Sequence, residues 1–295
     1  MDEVTFDGRG VRRFLVWTFA IAWALQLVVI LLVNAGSGPI AQYLLPVVMF
    51  APLLGLILSG HDVRGLGWRP RIRENLRLLL FSWLVPAALT AAGAALYFCL
   101  FPAHFDLSGA YLLEAAGPES LEVLEAGGLT YGHYILINAI VAVTVAPLIN
   151  MFPAMGEEAG WRGYLYPQLK AKFGHRLGLV VGGIVWGVWH WPLIAGIGYE
   201  YGTEYIGFPV VGMVLFPLVT IAFGALADAL FERSRIIWYP AIFHGALNAA
   251  ATIPVALCQP HTGSHFLLGP APAGIIAALP FFAVAACAFA RARTE

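Results

Sequence analysis

The chain has 295 residues, 60% of them hydrophobic and only 11% charged, with a mean hydropathy of +0.79 and a formal net charge of −1. Soluble domains carry about a quarter charged residues, so the composition excludes an ordinary soluble domain and describes a membrane protein. No basic cluster resembles a nucleic-acid footprint, and Cys99, Cys258 and Cys287 lie in or beside apolar runs as small apolar residues, with neither metal-like spacing nor a disulfide framework.

A hydrocarbon core ~30 Å thick needs about 20 apolar residues per helix. Eight runs qualify in chain order: 14–34, 41–59, 76–101, 133–156, 177–198, 209–230, 236–257 and 272–290. The first follows Arg12 and Arg13, as a signal peptide would. Its length and the seven later runs instead predict a retained helix.

Charge supports this count. With the N-terminus in the cytoplasm, strict alternation puts all 16 Lys and Arg on one side. They fall at Arg9–Arg13, Arg64–Arg77, Arg162–Arg176, Arg233–Arg235 and Arg291–Arg293. The opposite connections carry only acids: Asp106, Glu114, Glu119, Glu122, Glu125, Glu200 and Glu204. Both termini are therefore expected in the cytoplasm. Within the outer loop at 102–132, "PESLEVLEAGG" reads as a short surface helix ending at Gly127. There is no internal repeat and no second soluble domain, so residues 1–295 are expected to form a single membrane domain.

Ionisable side chains inside a bilayer are costly and read as functional by default. "NMFPAMGEEAGWRGYLYP" places Glu157 and Glu158 at the end of the fourth run. That helix can end at Met155 or run on to Tyr166, and the apolar "GWRGYLY" favours the longer version, stopping before Pro167. Pro147 and Pro153 predict a kink or break earlier in it. Glu158 and Arg162 are i and i+4, so they share a face and can pair. Glu157 points about 100° away, which leaves it as the free carboxylate.

"VWGVWHWPL" puts His190 in the fifth run, with Trp186 one turn earlier and Pro192 bending the helix beyond it. Gly174, Gly178, Gly182, Gly183 and Gly187 allow close helix approach there. "FHGALNAA" stacks His244 and Asn248 at i and i+4 in the seventh run. Taken singly, each motif also fits a structural role: a solvated acid pair, a histidine bonded to a neighbouring helix, or interhelical polar glue. Asp228 reads as interfacial, and His175, His261 and His265 lie in loops with no assigned role.

As a set, Glu and His can activate water, while His and Asn can hold a tetrahedral oxyanion. G-x-S-x-G and H-E-x-x-H are absent. That chemistry is peptide hydrolysis without a covalent intermediate.

The ordered motifs E-E-x-x-x-R, aromatic-x-x-x-His and His-x-x-x-Asn resemble the CAAX protease and bacteriocin-processing (CPBP) family of intramembrane proteases, also called the type II CAAX-prenyl endopeptidase or abortive-infection family. The resembling core runs from about 139 to 250, and it departs at Trp186, where Phe is usual. The resemblance implies an all-α fold of about eight transmembrane helices around a conical cavity open to the cytosol. It implies Glu157 and His190 as the water-activating pair, His244 and Asn248 as the oxyanion site, and supporting roles for Glu158, Arg162 and Trp186. No cofactor is expected. If zinc were used, Glu157, His190 and His244 would hold it. The expected surroundings are membrane lipid and a peptide or lipidated-protein substrate, in a prokaryotic cell membrane, with no nucleic acid. Two alternatives use the same residues differently: a proton-coupled transporter with a Glu/His relay, and a non-catalytic membrane scaffold or immunity protein.

Overall fold

The computed structural model describes residues 4–260 and 266–291, so His261, His265 and Arg293 lie outside the described residues. Apolar runs punctuated by Pro and Gly fold into α1 (Gly8–Asn34), α2 (Gly38–Val48), α3 (Ala51–Leu58), α4 (Leu76–Leu100), α5 (Ala110–Ala116) and α6 (Glu119–Ala126). There follow α7 (Tyr131–Thr144), α8 (Ala146–Gly160), a π-helical turn (Trp161–Leu165), α9 (Tyr166–Phe173), α10 (His175–Trp189) and α11 (Trp191–Ile197). The chain closes with α12 (Val210–Ser234), α13 (Trp238–Ala256) and α14 (Leu279–Arg291). Among the described residues the only β pairing is an isolated bridge between Phe105 and Cys258. The protein is all-α and polytopic.

By length and composition, α1, α4, α10–α11 and α12 can each cross a membrane. The number rises to six if two bent pairs, α2–α3 at 42° and α6–α7 at 88°, each count as one span. The eight expected runs are all met by helix, but several depart from a single long apolar rod, the second as the bent α2–α3 pair and the fifth by its break at His190. The fourth is broken at Val145, because Pro147 opens α8 and has no N–H to give α7. The seventh, α13, is diluted by His244, Asn248 and two prolines. The eighth starts only at Leu279, after turns over 266–278. The short outer helix predicted before Gly127 is α6.

The fourth run also overshoots its expected stop. Helix continues through Pro167 to Phe173, because the π turn shifts hydrogen bonding to i+5 at Tyr166 N–H to Trp161 C=O. Pro167 then sits in the first turn of α9, where it owes no hydrogen bond.

Long-range bonds define two ends of the bundle. At one end the Asp7 N–H donates to Gln168 at 2.7 Å, Arg176 donates to the Phe289 carbonyl at 3.2 Å, and Trp238 donates to the Trp68 carbonyl at 2.9 Å. The basic connections meet here. At the other end the Asp106 N–H donates to Leu257 at 2.9 Å, and the Tyr201 hydroxyl donates to Ala273 at 3.0 Å. This is the end with no Lys or Arg.

The interior is set by α8, α10, α12 and α13. Glycine allows two close approaches. A β-carbon at Gly245 of α13 would strike the α8 backbone at Asn150 and Met151, and one at Gly187 of α10 would strike Pro217 of α12. Asp228, read as interfacial, is instead buried on α12 and paired to Lys170 at 2.7 Å, with Glu232 on the same ammonium at 2.6 Å.

Candidate active site

The two glutamates stand between Gly156 and Gly160, whose missing side chains let the α2–α3 bend press onto α8. Glu157 and Glu158 are 1% and 0% exposed, yet they face different partners. Glu158 Oε1 accepts from Arg162 Nη1 at 3.1 Å and lies 2.9 Å from His244 Nδ1 on α13. Arg162 is fully buried, its guanidinium 4.8 Å from the Tyr166 ring centroid and 4.3 Å from that of Trp186. The expected i,i+4 pair is present, and it reaches a third member that helical spacing could not reveal.

Glu157 turns away from this network. Its Oε2 accepts from Trp186 Nε1 at 2.6 Å and from Trp161 Nε1 at 3.2 Å. Phe at position 186 would offer no such donor, so the departure at Trp186 alters the surroundings of the carboxylate directly. Trp161 was not singled out by the sequence, where it is one more aromatic residue in an apolar run.

His190 sits at the break between α10 and α11. Its Nδ1 is 2.9 Å from the Trp186 carbonyl, which can only accept, so Nδ1 carries a hydrogen and Nε2 is bare in the neutral ring. The ring stacks on Tyr199 and meets Trp189 and Phe216 edge-on. The break is braced from α1: Trp23 Nε1 and buried Gln26 Nε2 both donate to the Trp189 carbonyl, at 3.2 and 3.0 Å. Gln26 lies far outside the motif region, and only tertiary structure brings it to the site.

Glu157, Trp186, His190, His244 and Asn248 all line one inner chamber of about 100 Å³. Asn248 is exposed to this space, one turn beyond His244. The chamber shares Leu45, Met49, Tyr199, Glu200, Asn248 and Ala251 with a vestibule of about 670 Å³ whose rim includes Tyr111, Gly202 and Phe266. Glu200, given no role from the sequence, therefore stands at the throat. Desolvation lifts its carboxyl above the ordinary range, and the Tyr199 hydroxyl offsets part of that. The rim belongs to the end without Lys or Arg. Cytoplasmic basic loops and a cytosol-facing cavity were both expected, and in this fold the two cannot hold together.

Among the described residues no three His, Cys, Asp or Glu side chains converge to hold a metal ion. His244 Nδ1 and Glu157 Oε2 are already engaged with Glu158 and with the two indoles.

Comparison with curated proteins finds no match to the chain. Comparison with family models matches residues 133–250 to the type II CAAX prenyl endopeptidase Rce1-like family, a span that contains all three motifs. The segment 133–250 is thus similar to the Rce1-like type II CAAX prenyl endopeptidase family, and it lies within a multi-pass, all-α membrane protein.

Proposed function

We propose that the protein is an intramembrane endopeptidase that hydrolyses a membrane-associated peptide with water activated by Glu157 and His190. The observation that carries this reading is a single chamber lined by Glu157, His190, His244 and Asn248, drawn from three different helices. Glu157 or the bare Nε2 of His190 takes a proton from water as its oxygen attacks the scissile carbonyl. The Asn248 amide donates to the resulting oxyanion. His244, as an imidazolium whose Nδ1–H is held by Glu158, donates from Nε2 to the same oxygen. The proton is returned to the departing nitrogen, the C–N bond breaks, and carboxylate and amine products remain. Glu158 and Arg162 position His244 and do not touch substrate.

The test uses the full chain in detergent with a quenched-fluorescent peptide library. Wild type is expected to cleave. Glu157→Gln should lose at least about 1,000-fold, and Asn248→Ala about 100- to 1,000-fold, the usual weight of one oxyanion donor. Equal cleavage by wild type and Glu157→Gln would remove the proposed base. Treatment with 1,10-phenanthroline should leave the rate unchanged, and loss restored by zinc would install a metal mechanism instead.

A further inference from the structure

Among the described residues, the passage from rim to chamber is lined by no Lys or Arg. Its polar lining consists of carboxylates, imidazoles, amides and hydroxyls. Arg162, whose guanidinium lies 4.3 Å from the ring centroid of the lining residue Trp186, is 0% exposed and engaged by Glu158. Glu200 belongs to both the inner chamber and the vestibule, so a peptide reaching Glu157 passes its carboxylate.

The backbone at Glu200 is unusual for a residue with a β-carbon. Its φ is +67°, between Gly198 at +67° and Gly202 at +70°. A β-carbon at Gly198 would strike the Gly202 backbone, so this turn is closed on itself and holds Glu200 in place. Glycine adopts such a conformation freely and glutamate does not. Retaining a carboxylate there has a structural cost, and a substrate contact would offset it. Among the described residues Glu200 forms no ion pair. The connections at this end add further acids, Asp106 and Glu204 among them, whose field attracts cations to the rim.

We propose that Glu200 is a specificity-determining residue that selects peptides with a Lys or Arg near the scissile bond and disfavours those ending in a free carboxylate close to it. The inference rests on the endopeptidase reading of the same chamber. A C-a-a-X terminus cut at its cysteine would bring its carboxylate within about 10 Å of the reacting bond, at ~3.3 Å per extended residue. That carboxylate would meet Glu200 at the throat before it reached Glu157, with no Lys or Arg in the lining to offset the repulsion. A peptide that continues past the cut, or ends in an amide, escapes this repulsion.

The experiment has a cleavage arm and a binding arm, both on the full chain in detergent. In the first, a randomised peptide library is digested and the products are sequenced by mass spectrometry. Wild type is expected to enrich Lys and Arg within a few residues of the cut by about fivefold, the scale of one partly screened ion pair. Glu200→Gln and Glu200→Gly should abolish the enrichment, and Glu200→Lys should reverse it toward acids. Glu200→Gly suits the left-handed backbone, so it separates loss of charge from loss of fold. In the second arm, dye-labelled peptides carrying Lys, Gln or Glu at one position bind to Glu157→Gln. Each is tested as free acid and as C-terminal amide. Lys over Gln over Glu, and amide over acid, is expected. This arm reads charge selection even if no peptide is cut, so failure of the endopeptidase reading is distinguishable. Cleavage or binding indifferent to these charges, or unchanged preference in Glu200→Gly, would overturn the proposal.

Discussion

Glu157 and Glu158 are neighbours in sequence with opposite assignments, and the difference is testable through stability. Glu158 neutralises a guanidinium with no access to solvent. Glu158→Gln leaves Arg162 buried and unpaired, which should cost about 3–5 kcal/mol. Adding Arg162→Met removes that orphaned charge and should recover most of the loss, as read by thermal unfolding in detergent. Glu157→Gln keeps both indole contacts through its amide oxygen and should unfold close to wild type while inactive. Equal destabilisation by the two single variants would erase the division. Trp186→Phe tests another residue-level point. It removes the 2.6 Å indole donor and leaves Glu157 held by the longer Trp161 contact alone, so turnover should fall roughly 10- to 100-fold with little change in KM. The Glu158–Arg162 pair was legible in the sequence, because helical spacing alone puts Arg162 beside Glu158. The His244 contact and the indole donors were not. They depend on how α8, α10 and α13 face one another, and a one-dimensional pattern carries no interhelical rotation.

At the scale of elements, the site depends on how closely α13 lies against α8, and Gly245 sets that spacing. An added β-carbon meets backbone atoms of Asn150 and Met151, which cannot rotate away. Gly245→Ala should therefore push the helices apart, costing about 1–3 kcal/mol as other overpacking changes do. It carries His244 and Asn248 away from Glu157, so activity should fall by more than the lost stability explains. A variant with wild-type unfolding and wild-type rate would show that this contact does not set the site. The helices themselves were well marked by apolar runs, and the breaks near Pro147 and His190 by their prolines. The π turn was not. Pro167 read as a stop because a residue before proline avoids the helical region in an ordinary α-helix. A shift to i+5 bonding removes the clash without a sequence signal of its own.

For the whole molecule, charge and cavity together predict which side of the membrane the substrate comes from. All 16 Lys and Arg occur in segments assigned to one end of the alternating topology, and cross-links such as Asp7–Gln168 and Trp68–Trp238 gather those segments together. The vestibule opens at the other end, beside Tyr111, Gly202 and Phe266. Lys and Arg near membrane spans are retained in the cytoplasm, so the mouth should face away from it, and substrate should arrive from the outer leaflet or beyond. The sequence carried the segregation of Lys and Arg to one set of loops but not the direction of the cavity, because the motif residues lie near mid-membrane and are compatible with either opening. The measurement is cysteine labelling in intact cells, in a background with Cys99, Cys258 and Cys287 changed to Ser. Ser108→Cys, at the acidic end, should react with a membrane-impermeant maleimide added outside, whereas Asp62→Cys, at the basic end, should react only after permeabilisation. The reverse pattern would turn the molecule over, open the cavity to the cytosol, and make this chain an exception to charge-directed insertion. The pattern is read without any cleavage, so it stands whichever peptide the chamber accepts.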